Sequence, residues 1–158
     1  MRAVQASGVD AGAAVGFEQF FRAVEPRLRR ALSASLGPEL GREAAAAALA
    51  WAWEHRDRLG ELSYPLGYLY RVGRSSVRRR RFRPLHAPVE WREPWVEPGL
   101  SSALRELSEH QRVAVVLIHG YQWTQSEVAE LLEVSTSTVQ THLERALSRL
   151  RWHLEANQ

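Results

Sequence analysis

The chain has 158 residues, room for one ordinary domain or two small ones, and its 45% hydrophobic and 25% charged residues are those of a globular protein. All 21 residues of the Lys+Arg total are Arg, and Cys is absent, so P-loop lysines, Schiff bases, thiol catalysis, disulfides and zinc fingers are excluded. The formal charge of +3 hides an uneven division: residues 1–83 carry 15 Arg against 8 acids, a net of +7, and residues 84–158 carry 6 Arg against 10 acids, a net of −4.

Residues 1–14 are small and polar, without the apolar core of a signal peptide, and are expected to form a flexible tail. No window approaches 18 apolar residues, so no membrane insertion and a cytoplasmic location are expected. Phe17, Phe20, Phe21, Val24, Leu28 and Leu32 follow helical spacing, with a kink predicted at Pro26. An Ala-rich helix follows over 43–59, carrying Trp51 and Trp53. A third helix carries Leu66, Leu69, Tyr70, Gly73 and Val77, with Ser63 as its cap ahead of Pro65. These elements make a first domain over 15–83.

Four of the seven prolines, Pro84, Pro88, Pro94 and Pro98, fall in the acidic stretch 84–100. Such a density prevents helix propagation, so this stretch is expected to be a linker. The second domain, 101–158, is better punctuated. Ser101 or Ser102 caps a short helix through Leu107. Ser108 and Gln111 make a capping box ahead of an apolar run, Val113 to Ile118, with Gly120 at the C-terminal cap position. Thr124 and Glu127 make a second box, and after a turn at Glu133-Val134, Ser135 caps a final helix with Val139, Leu143, Ala146, Leu147 and Leu150 inside. The fold class is all-α: two small helical domains joined by a Pro-rich acidic linker.

The segment from Thr124 to Leu150 has the form of a helix-turn-helix, with small Ala129 where the helices cross. The outward positions of its second helix are Thr136, Ser137, Gln140, Thr141, Glu144 and Arg145. Hydroxyls, amides and guanidinium on such a face bind phosphate and reach base edges, so duplex DNA is the expected ligand; the bland alternative is a helical hairpin with a polar surface. Glu133 stands in the turn where Gly is usual. Glu127, Glu130 and Glu133 are expected to form a solvated face, and Trp51, Trp53, Trp123 and Trp152 to be packing residues. His142 is at best an extra contact on the recognition helix.

The other constellation is GYLYRVGRSSVRRRRFR, 67–83, with seven Arg and no acid between Arg71 and Arg83. On a helix, Tyr68, Arg71, Ser75 and Arg78 share a face beside Arg74. Rings interleaved with guanidinium groups stack bases and follow a phosphate backbone, which suits single-stranded nucleic acid; the alternative is a solvated basic helix end.

Together the halves resemble an RNA polymerase sigma factor of the extracytoplasmic-function, sigma-70 type with a degenerate region 2. LSEHQRVAVVLIHG and WTQSEVAELLEVSTSTVQTHLERALSRLR are similar to region 4, and Tyr68-Leu69-Tyr70-Arg71 resembles the family's −10 helix. The resemblance implies promoter DNA and core RNA polymerase as partners, with an anti-sigma factor as a further one, and no cofactor. It implies −35 contacts from Thr136, Ser137, Gln140, Thr141 and Arg145, and −10 contacts from Tyr68, Arg71, Arg74, Ser75 and Arg78. Aligned on Trp53, the family's polymerase-binding face falls on Glu43, Ala46, Ala47, Ala50 and Glu54.

An autonomous helix-turn-helix regulator, LuxR-type or sigma-derived, is the alternative. An enzyme acting on nucleic acid is not expected, because the two Asp, Asp10 and Asp57, belong to no carboxylate cluster that would hold Mg²⁺.

Overall fold

The computed structural model describes residues 7–80 and 99–156, with side chains for 16–77 and 99–156. Apart from Gly99 and Leu100, the expected linker lies outside the described residues. All regular structure within them is helical.

The first half is a three-helix unit: α1 (Ser7–Leu36), α2 (Pro38–Glu54), a 3₁₀ segment (Arg56–Glu61) and α3 (Pro65–Arg80). Helix α1 starts at Ser7, inside the segment expected to be a tail, and continues through Pro26. Ala11, Ala13 and Ala14 explain the early start, since Ala has the best helix propensity. The Ala run of α2 divides by face. Ala44, Ala45, Ala48 and Ala52 are buried, whereas Ala46 and Ala50 point outward. The buried methyl stripe lets α1 and α3 approach closely. At Gly73 a Cβ would stand 2.9 Å from Ala44 O, and at Gly41 it would stand 2.4 Å from Ser33 Cα, so both crossings require glycine. Leu28, Leu32 and Leu69 fill the space between the helices with no exposed surface, each burial stabilising by about 1.5–3 kcal/mol.

The second half comprises α4 (Leu100–Glu106), α5 (Glu109–Val115) running into a π-helical turn (Val116–Gly120), α6 (Gln125–Leu132) and α7 (Thr136–Ala156). Left-handed Gly99 is the N-cap of α4, in place of the serines expected there. Gly120 closes the π turn without a positive φ; the residues with that conformation nearby are Gln122 and Glu133. Ala103 and Leu107 pack on Val115, Ala146 and Leu150 in a small separate cluster.

The main core does not stop at the domain boundary. Val113, Leu117, Trp123, Val128, Leu131 and Val139 of the second half belong to the same apolar cluster as Leu28, Leu32, Leu69 and Val77 of the first. The halves are packed against each other, with α1 on α5 and α3 on α6.

Candidate nucleic-acid interface

The helix-turn-helix is built by local chemistry. Ser108 Oγ accepts from Gln111 N at 3.4 Å while Gln111 Oε1 accepts from Ser108 N at 3.3 Å. Thr124 Oγ1 accepts from Glu127 N at 3.2 Å, and Glu127 Oε2 accepts from Thr124 N at 2.8 Å. Both boxes satisfy orphan N–H donors at a helix start. Chiefly because of the Thr124 N–H, the Glu127 carboxyl lies below its ordinary pKa. Glu133 ends α6 at φ 56°, ψ 44°, and Val134 N donates back to Ala129 O at 3.0 Å, closing a Schellman-type turn with a glutamate where glycine is usual. Ser135 Oγ then accepts from Thr138 N at 3.1 Å and starts α7.

Helix α7 buries Val139, Ala146 and Leu150 and exposes all five positions predicted to read duplex: Thr136, Ser137, Gln140, Thr141 and Arg145. Thr141 Oγ1 donates to Ser137 O at 3.0 Å and Gln140 Nε2 to Glu144 Oε1 at 3.1 Å, which holds these side chains along the helix. At 21 residues α7 is about 31 Å long, enough to lie along a major groove. His142 faces inward instead, half-buried and edge-on to His110 at 5.4 Å. Burial first, then His110 and Arg145, push its pKa down.

On α3, Tyr68 packs on Trp51 with ring centroids 5.0 Å apart, and the Arg71 guanidinium lies 5.8 Å over the Tyr68 ring. Arg74 lies 5.6 Å from the buried Tyr70 ring, whose hydroxyl is pushed up in pKa mainly by burial. Ser75 is exposed. Arg78 belongs to α3, but its side chain and residues 81–83 of the basic run lie outside the described residues.

The two described arginines of this face are held by acids of the other half. Arg74 Nη2 donates to Glu109 at 2.8 Å, and Arg71 donates to Glu133. Glu109 also accepts from Ser35 Oγ at 2.5 Å, so it ties α1, α3 and α5 together. Further along, Arg27 pairs with Glu127 at 2.8 Å, and Arg112 donates to Ala34 O at 2.9 Å and Ser35 O at 2.7 Å. The acids around the turn are exposed or partly exposed, as expected, but two of them are also engaged: Glu127 caps α6 and pairs with Arg27, and Glu133 pairs with Arg71. Ser35, Glu109 and Arg112 were not among the predicted site residues. The only hint of them was the +7 and −4 division of charge between the halves.

The face of α2 lies elsewhere. Glu43, Ala46, Ala50 and Glu54 are exposed and Ala47 is half-buried. Beside them, Trp53 is 46% exposed yet packs edge-on against Phe17 at 4.9 Å; on α7, Trp152 is 66% exposed and is not the packing residue expected. Trp123, by contrast, is buried. Among the described residues no cluster could hold a metal ion, and no helix is long and apolar enough to cross a membrane.

An exposed polar face on the second helix of a doubly capped helix-turn-helix is the arrangement found in DNA-binding elements. Residues 99–150 match the family model for sigma-70, region 4. The RNA polymerase sigma-E factor of Streptomyces antibioticus is 45% identical over 56 residues, 35% of this chain and 31% of that protein, so the chain matches about a third of the length of this relative. The sigma factor RpoE of Bartonella quintana, solved in complex with the anti-sigma factor NepR, is similar in fold: 90% of this chain covers 99% of that one, with a TM-score of 0.64 and 22% identity. Residues 99–150 are thus similar to sigma-70 region 4, and the all-helical fold of the described residues is similar to that of the Bartonella quintana sigma factor.

Proposed function

We propose that this chain directs RNA polymerase to promoters and starts transcription. The observation that carries this reading is the exposure of Thr136, Ser137, Gln140, Thr141 and Arg145 on one face of a helix fixed by Ser135 and the turn at Glu133. These side chains read −35 duplex, with helix N-terminal N–H groups and Arg145 anchoring phosphates. Tyr68, Arg71, Arg74, Ser75 and Arg78 engage the melted −10 strand by stacking and charge. The outer face of α2, with Glu43, Ala46, Ala47, Ala50 and Glu54, docks on core polymerase, the exposed Trp53 beside it supplying apolar contact. In this reading the protein is not itself an enzyme and needs no cofactor. An anti-sigma factor is a further partner, supported by the complex in which the Bartonella quintana protein was solved.

Co-elution with core polymerase tests the reading. Wild type should be retained at micromolar concentration, and Ala46→Gln/Ala47→Glu, which restores hydrogen-bonding groups to a methyl face, should be retained more strongly. Specific duplex binding with no retention of either form favours an autonomous helix-turn-helix regulator. The match to the region 4 model gives that second reading its weight, since it falls on residues 99–150.

A further inference from the structure

Guanidinium groups placed to follow a nucleic-acid backbone should be free to take a phosphate. Arg71 and Arg74 instead each hold a carboxylate from the second half, Arg71 at the turn of the helix-turn-helix and Arg74 at the start of α5. A carboxylate offers a guanidinium much the same planar pair of oxygens as a phosphate does. Two features show that these acids are held in position. Glu133 keeps a glutamate in the left-handed conformation that glycine adopts without strain, and its side chain ends on Arg71. Glu109 is fixed from a second side by Ser35 Oγ at 2.5 Å, so its position does not depend on Arg74 alone. The recognition face of α7 takes no part in these pairs and stays exposed.

We infer that Glu109 and Glu133 of the second half act as built-in phosphate mimics, occupying Arg74 and Arg71 and so suppressing the binding of single-stranded nucleic acid by the first half. The inference rests on the reading of Tyr68 to Arg78 as a single-strand face, and it adds that this face is shielded from within the same chain. Shielding is selective: it lowers affinity for single strands and leaves duplex binding by α7 unchanged. The two arginines become available to a nucleic acid only where it displaces the carboxylates, or where the halves part.

The test is fluorescence anisotropy on the full chain with a labelled 20-nucleotide single strand and, separately, a labelled duplex, across a range of salt. Glu109→Gln/Glu133→Gln keeps side-chain size and removes both charges; circular dichroism confirms that it folds. It should bind the single strand about 5-fold more tightly than wild type. The slope of log affinity against log salt should steepen by about 1.4, at about 0.7 per contacted phosphate. Glu61→Gln/Glu155→Gln, which removes two exposed acids elsewhere, controls for net charge and should leave the slope unchanged. Adding Arg71→Ala/Arg74→Ala to the Gln variant should abolish the gain. Equal affinity and slope for wild type and the Gln variant overturn the shielding, and an equal gain in the control variant does the same. If Arg71→Ala/Arg74→Ala weakens wild type as much as the Gln variant, the face binds nucleic acid but is not shielded. If it changes neither, the single-strand reading of this face fails with it. Retention on core polymerase is measured independently, so its failure leaves this result standing.

Discussion

The Arg27 guanidinium lies 4.4 Å over the ring of buried Trp123, so a cation of α1 clamps the loop that leads into the helix-turn-helix. The same guanidinium reaches Glu127 at 2.8 Å, the residue that closes the capping box of α6. One side chain of the first half thereby touches both the core anchor and the first turn of the DNA-binding element. Trp123→Ala should cost about 3–5 kcal/mol in urea unfolding, as for other large buried aromatics. Arg27→Ala should cost about 1–2 kcal/mol, because its cation–π contact is sheltered and its ion pair is half-exposed. A smaller loss for Trp123→Ala than for Arg27→Ala would contradict this clamp.

Arg112 is a second strut. Its guanidinium donates to Ala34 O and Ser35 O in the last turn of α1 and to Leu107 O at 3.2 Å. Carbonyls at a helix C-terminus lack intrahelical partners, and a cation there also meets the negative end of the helix dipole. Arg112→Ala should destabilise by about 2–3 kcal/mol in the same assay, with charged-donor bonds lost to carbonyls of buried residues. Arg112→Lys should recover less than half of that, since an ammonium cannot fork between three acceptors.

Glu133→Gly opposes two effects. The left-handed conformation at φ 56° costs a non-glycine residue about 1 kcal/mol, and the exposed pair with Arg71 contributes about 0–1 kcal/mol. The substitution should leave stability within about 1 kcal/mol of wild type while freeing Arg71. A larger loss would mean that the pair is worth far more than its exposure allows.

His142 sets a pH dependence. Its pKa is lowered on folding, by burial and by neighbouring His110 and Arg145, so below its ordinary value of about 6.5 the unfolded chain binds more protons than the folded one. Stability from this site is therefore fully present above pH 7 and falls as pH drops through about 6.5. Thermal melts between pH 7.5 and 5.5 should show wild type losing more Tm than His142→Gln. Parallel slopes for the two proteins would remove His142 as the cause.

The second half was legible in its sequence because its signals are local. Ser108 with Gln111, Thr124 with Glu127, and Ser135 each lie within three residues of the group they cap, and all three behave as their spacing predicts. The outward face of α7 followed from the burial of Val139 at helical period. The pairing of the halves was not legible. Arg74 and Glu109 are 35 positions apart, and Arg71 and Glu133 are 62 apart, so nothing in either neighbourhood specifies the partner. Composition held a weaker trace, in the basic first half and acidic second half that meet across α1, α3, α5 and α6. Trp53 illustrates the remaining gap: it was expected to be a packing residue, and it meets Phe17 edge-on while staying 46% exposed.

Transcription in vitro bears most directly on the central claim. Core polymerase with this chain should give a defined transcript from a promoter template selected by its own duplex-binding preference. Gln140→Ala/Arg145→Ala should reduce that transcript at least 10-fold, on the scale of about 1–3 kcal/mol for one lost specific base contact, without weakening retention on the polymerase. No promoter-dependent transcript from wild type, under conditions where it binds the duplex specifically, would contradict the claim that this protein initiates transcription.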